Sequence, residues 1–163
     1  FVKFNERCMI RLLGDMRSYN YVIVPTHDFD HVVYTIRAID FDQQCYEGKF
    51  NVYRPQFFKE NFKMVDLVTQ KFEKQSINQY KLEERSIVAK RLLSFKNRIE
   101  RLIQCMISDT LSTPEHETLL KTKIFEYTGD IRFKNSKNMG EILRNSLSFV
   151  KRNYQTENTG IFF

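Results

Sequence analysis

The 163-residue sequence contains no tryptophan, only three prolines and only five glycines. So few breakers leave most of the chain free to form regular structure. Its three cysteines, Cys8, Cys45 and Cys105, lie far apart and show no CxxC spacing. That argues against a disulfide framework and a structural zinc site, and fits a reducing, cytoplasmic setting. No apolar run approaches the roughly 18 residues of a membrane-spanning helix, so no membrane partner is expected. No signal-peptide pattern opens the chain. Acid is not in excess either: Lys and Arg total 26 against 20 Asp and Glu, a net charge of +6. This balance suits phosphorylated ligands, nucleic acid or an acidic partner, and does not choose among them. No repeat or low-complexity tract is visible.

What the chain has is 42% hydrophobic residues and 14% aromatics, carried by Phe and Tyr, enough to bury a core. Its start, "FVKFNERCMIRLL", carries no helix cap and reads as entered mid-helix, so a longer protein is expected. Phe4, Cys8, Ile10, Leu12 and Leu13 give this first helix an apolar face, with Gly14 as its stop. "YVIV" (Tyr21 to Val24) and "HVVYTIRAIDF" (His31 to Phe41) are apolar and β-branched, with the turn-rich "PTHDFDH" between them. Together they predict a β-hairpin.

An irregular stretch from Asp40 to Pro55 reads as a long loop, with Pro55 placed for a helix start. From there the pattern is helical. "QFFKENFKMVDLVTQKF" repeats apolar residues three and four apart. "YKLEERSIVAKRLLSFKNRIERLIQCMI" carries the longest stripe (Leu82, Ile87, Val88, Leu92, Phe95, Ile99, Leu102, Ile103, Met106) and predicts one continuous helix. "STPEHETLLKTKIFEY" opens with Ser112 or Thr113 as cap and Pro114 in the first turn, and closes at Gly129. "NMGEILRNSLSFVKRNY" predicts the last helix. The expected fold is α+β and mostly helical: a hairpin near the N-terminus packed on about five helices. Residues 1–153 form one unit, followed by a loosely held tail over 154–163.

The hairpin brings separated polar residues together. Asp15 and Asn20 precede the first strand, and Asp40 and Asp42 follow the second. In an antiparallel pair the start of one strand lies beside the end of the other. Two or three oxygen donors gathered there suit Mg²⁺, which prefers carboxylate, amide, water and substrate phosphate.

"GDMRSYN" followed by "AIDFD" resembles the paired motifs of the protein-kinase-like fold, including its aminoglycoside- and choline-kinase-like relatives. Asp15 and Asn20 have the spacing of the catalytic-loop Asp and Asn, and Asp40 has the place of the metal-binding Asp. The Gly-Asp pair is the form seen in the small-molecule kinases. The resemblance implies the C-terminal lobe of a phosphotransferase that uses ATP and Mg²⁺ and passes the γ-phosphoryl group to a hydroxyl on a protein or small molecule. Asp15 would orient or accept the hydroxyl proton, and Arg17 would neutralise the phosphoryl group. Asn20 and Asp40 would hold the metal and nucleotide, with Asp42 as a further donor. The motifs span Ile10 to Asp42; beyond that the likeness is helical content alone. Leu13 stands where the family usually has His, and Asp42 where protein kinases have Gly. The family's Gly-rich loop and strand-borne Lys are missing, so an N-terminal lobe upstream of Phe1 is expected. Without it the resemblance implies little or no activity.

Plainer readings stand beside this one. Asp15, Asn20, Asp40 and Asp42 are also ordinary turn and strand-end residues, and Arg17 an ordinary surface base. His27 and His31, with Asp28 and Asp30, suit a polar hairpin tip, and His116 an exposed first turn. Cys45 has no neighbour that clearly lowers its pKa. Phe57, Phe58, Phe62, Phe72 and Phe95 are expected in the core. The alternatives to a kinase lobe are a non-catalytic helical interaction domain and a basic nucleic-acid-binding module. Nucleic acid is the less favoured partner, because "KNRIER" and "RFKNSKN" accompany no recognised motif.

Overall fold

The computed structural model of the chain describes residues 1–108 and 112–159, the last eight of these as backbone only. Helix α1 (Val2–Arg11) leads into an antiparallel hairpin of β1 (Tyr21–Asp28) and β2 (His31–Ala38). Three short 3₁₀ turns follow over Phe50–Tyr53, Pro55–Phe57 and Lys59–Asn61. Then come α2 (Phe62–Lys71), α3 (Lys74–Ser94), α4 (Lys96–Ser108), α5 (Pro114–Thr128), α6 (Ile131–Lys134) and α7 (Met139–Thr159). The class is α+β and mostly helical, as the sequence predicts. No helix among the described residues is long and apolar enough to cross a membrane.

Helix α1 is the hub. Phe4 and Cys8 pack with Leu13, Met16, Tyr21 and Ile36 under the hairpin. Ile10 meets Val88 and Ala89 of α3 and Val150 of α7. Leu12 enters the largest cluster, with Tyr53, Leu120, Phe133 and Ile142. A helix apolar on several sides is one surrounded by partners. Its polar residues are paired as well: Glu6 binds Arg85 and Arg7 binds Glu84, each at 2.6 Å, across to α3.

The helix does not stop at Gly14. It ends at Arg11, with Leu12 in the left-handed region (φ 50°). Leu12 and its neighbour Leu13 must enter different clusters, and the turn separates them. Gly14 has a different task. A Cβ there would lie 2.7 Å from the carbonyl oxygen of Gln43 and 3.0 Å from Val52. Gly14→Ala is therefore expected to cost about 1–3 kcal/mol. Urea denaturation would show it as a lower midpoint with an unchanged slope. Gly129 does end α5, at φ 69°. Thr113 caps that helix by accepting from the His116 N–H, with Pro114 in the first turn.

Three expectations change. The stripe from Leu82 to Met106 is not one helix: it breaks at Phe95. Helix α3 packs on α1 and α7, whereas α4 packs chiefly on α7, and one straight helix would not follow both. The helix expected from Pro55 begins only at Phe62, after 3₁₀ turns that hold Tyr53 and Asn61 fully buried. Finally, Phe57, Phe62, Phe72 and Phe95 are exposed rather than core. Helix α2 lies at the surface with no buried residue, and the core takes Phe4, Phe50, Tyr53 and Phe133 instead. Helix α7 continues through residues 154–159 of the expected tail; residues 160–163 lie outside the described residues.

Candidate functional site

The turn between α1 and β1 is anchored from below and polar above. Met16 is buried in the cluster under the hairpin. Its neighbours Asp15 and Arg17 remain about one-third exposed at their side chains. The backbone is tightly folded: the Arg17 N–H reaches the Asp15 carbonyl at 2.8 Å, and the Asn20 N–H reaches the Arg17 carbonyl at 2.9 Å. Asp15 itself adopts φ 54°, the left-handed region that Asp tolerates better than most residues.

Asn20 closes the turn. Its amide nitrogen donates to the Asp15 carbonyl at 2.7 Å and to Asp15 Oδ2 at 3.2 Å. Two acceptors on that side set the amide's orientation and turn its carbonyl oxygen away from Asp15. Arg17 Nε donates to the other Asp15 oxygen at 2.8 Å, so the carboxylate is held on both sides. This contact raises the Arg17 pKa above its ordinary value.

Asp40 comes near through the backbone. The Ile39 N–H donates to the Asn20 carbonyl at 3.1 Å, extending the hairpin by one rung. Asp40 is the next residue, and its Oδ1 accepts from the Asp42 N–H at 3.2 Å. Asp15, Arg17 and Asn20 are thus joined directly, and Asp40 is adjacent by chain. The Asp42 side chain, by contrast, is exposed and borders a cleft of about 300 Å³ with Phe41, Leu102, Met106 and Leu143.

Among the described residues no group of three or more His, Cys, Asp and Glu side chains is gathered to hold a metal ion. The candidate donors are of another kind: the Asn20 amide oxygen and the carboxylate of Asp40, which follows the residue paired with Asn20 across the hairpin. Two hard oxygen donors fit Mg²⁺ in type and number when water and phosphate complete the shell.

Sequence reasoning did not find the residues that support this turn. The Asp15 N–H donates to the Val52 carbonyl at 3.1 Å. Glu60 accepts from Arg17 Nη1 at 3.0 Å, and the guanidinium stacks 4.9 Å from the Phe58 ring. The Glu60 carboxyl is held below the usual carboxylate range by its own backbone N–H and then by Arg17. Its Oε2 is buried without a partner. Asn61, fully buried, donates to the carbonyls of Met16 (2.9 Å) and Pro55 (2.8 Å) and accepts from the Tyr21 hydroxyl (2.9 Å). "KEN", whose Glu60 lies 43 residues from Arg17, carries no local mark of this role.

The other candidates are accounted for. His27 and His31 are exposed near the hairpin tip. Burial pushes the thiols of Cys8 and Cys45 up to about 12, which makes both poor nucleophiles at neutral pH. Compared with protein-family models, curated proteins and solved structures, the chain finds no significant match in any of the three.

Proposed function

We propose that the chain is the C-terminal lobe of an ATP- and Mg²⁺-dependent phosphotransferase acting on a hydroxyl acceptor. The observation that carries this reading is the closure of Asn20 onto Asp15 beside the strand end that bears Asp40. A solvated turn needs no such arrangement. It holds a partly exposed carboxylate in a fixed direction between Arg17 and Asn20.

In this reading Asp15 orients the acceptor hydroxyl and takes its proton. Each Asp15 oxygen spends one lone pair on Arg17 or Asn20 and keeps another. Arg17 supplies fixed positive charge next to the reacting oxygen. Asn20 and Asp40 hold the metal, which when bound neutralises charge on the nucleotide phosphates. Positioning and charge account for most of such catalysis.

The test uses the full-length protein. Asp40→Asn should abolish Mg²⁺-dependent ATP turnover, and Mg²⁺·ATP binding should weaken with it. Unchanged turnover and binding would remove Asp40 from the role.

A second reading, a non-catalytic interaction domain, has one observation in its favour. Of the hairpin strands only Tyr21 and Ile36 are buried, and Val22, Ile23, Val32, Val33 and Tyr34 stand exposed. Apolar strands left uncovered mark a surface that another body covers. An upstream lobe would satisfy either reading; Mg²⁺·ATP binding separates them.

A further inference from the structure

Arg54 joins the 3₁₀ turns Phe50–Tyr53 and Pro55–Phe57 in extended backbone. Its guanidinium carbon lies 4.5 Å from the ring centre of Phe57, 5.1 Å from that of Tyr127 and 5.5 Å from that of Phe50. Phe50 and Tyr127 are themselves in contact, their ring centres 5.3 Å apart and their planes tilted by 54°. The side chain is half-buried in an aromatic box.

What the box lacks is an acid. Arg7, Arg17, Arg85, Arg132 and Arg144 each meet a carboxylate. Among the described residues none lies within ion-pair distance of Arg54. Its surroundings in sequence are basic too. The stretch 49–63 holds Lys49, Lys59 and Lys63 besides Arg54, against one acid, Glu60, and that acid is taken by Arg17.

A guanidinium held over aromatic rings makes no hydrogen bond to them through its charge–ring contact, so its N–H groups are left to donate to an oxyanion. The rings also restrict the side chain, so little freedom is lost on binding. The segment is fixed against the candidate site: Val52 accepts from the Asp15 N–H, and Asn61 ties Pro55 to Met16.

We infer that Arg54 binds an oxyanion, phosphate or carboxylate, carried by the molecule that approaches Asp15. The anion site stands on the aromatic box; its service to an acceptor rests on the phosphotransferase reading. The substrate class is then a hydroxyl compound that already bears a negative group.

Inorganic phosphate and acetate serve as probes in separate titrations of the chain, followed by the NMR signal of the Arg54 Nε–H, assigned through its loss in Arg54→Lys. A saturable shift is expected. The anion giving the tighter response identifies the group. Arg54→Lys should weaken binding of that probe roughly tenfold or more, as loss of a hydrogen bond between charged groups does, and Phe57→Leu should weaken it less, by removing a ring that positions the guanidinium. The Tyr127 ring signals report binding of that probe in these variants, and their unchanged far-UV spectra establish folding. No saturable shift with either anion, or binding undiminished in Arg54→Lys, would overturn the inference. Saturable binding in a full-length protein that neither binds nor turns over Mg²⁺·ATP would uphold the anion site while removing the phosphotransferase reading.

Discussion

Asn61→Leu is expected to destabilise the chain by about 2–5 kcal/mol, because it orphans three buried groups at once. The Tyr21 hydroxyl loses its acceptor, and the carbonyls of Met16 and Pro55 lose their donor. Asn61 is completely buried, so solvent does not replace these bonds. Tyr21→Phe removes one bond together with its own polar group and should cost only about 1 kcal/mol. Burial is also what raises the Tyr21 pKa. Asn61→Asp preserves shape but turns a donor into an acceptor facing two carbonyls, and should be at least as harmful as leucine. Chemical denaturation of the three variants gives the comparison. An Asn61→Leu cost no larger than that of Tyr21→Phe would mean that the bridge contributes little. Hydrogen exchange adds a local reading: the Asp15 and Arg17 amides should lose protection first, since Asn61 braces the turn that carries them.

The second large effect concerns charge. Arg7→Ala should cost about 3–5 kcal/mol, since it strands the Glu84 carboxylate in the interior. The Glu84 side chain is 1% exposed and receives both Nε (2.6 Å) and Nη2 (3.0 Å) of Arg7. The same guanidinium reaches the Ile36 carbonyl at 3.4 Å, so α1, α3 and β2 share the contact. Glu84 is the first cause of the raised Arg7 pKa. The double change Arg7→Met with Glu84→Leu removes both charges and should restore most of the loss. Lys3 offers a control. Its pair with Glu83 is about 40% exposed on both sides, and Lys3→Ala should cost under about 1 kcal/mol. Thermal or urea unfolding measures all of these; equal losses for Arg7→Ala and Lys3→Ala would contradict the argument from burial.

Much of the architecture was legible in one dimension because its signals are local. The apolar runs on either side of "PTHDFDH" define the hairpin, and Thr113, Pro114 and Gly129 mark the ends of α5 by backbone chemistry alone. The spacing of Asp15 and Asn20 is local as well, and the amide does fold back onto the acid. Where several surfaces compete for one residue, local signals fail. Gly14 looked like a helix stop, but its small size serves Gln43, and Leu12 takes the cap. Phe62 and Phe72 fit a helical stripe, yet both stay exposed, Phe72 meeting Tyr80 edge-on at the surface rather than entering the core. Phe95 lay in the middle of a continuous pattern and became its break.

Composition and pattern alone thus determined the α+β class, the hairpin and the polar motif at its mouth, since each follows from neighbours a few residues apart. Only the tertiary structure decided what holds that motif. Val52, Glu60 and Asn61 reach it from about 40 residues away, and no periodicity encodes such a meeting. It also decided that Arg17 is held between two acids, Asp15 and Glu60, while Arg54 is boxed by rings. Charge in the sequence is a count; its partners, and so its chemistry, depend on which side chains the packed helices bring within a few ångströms.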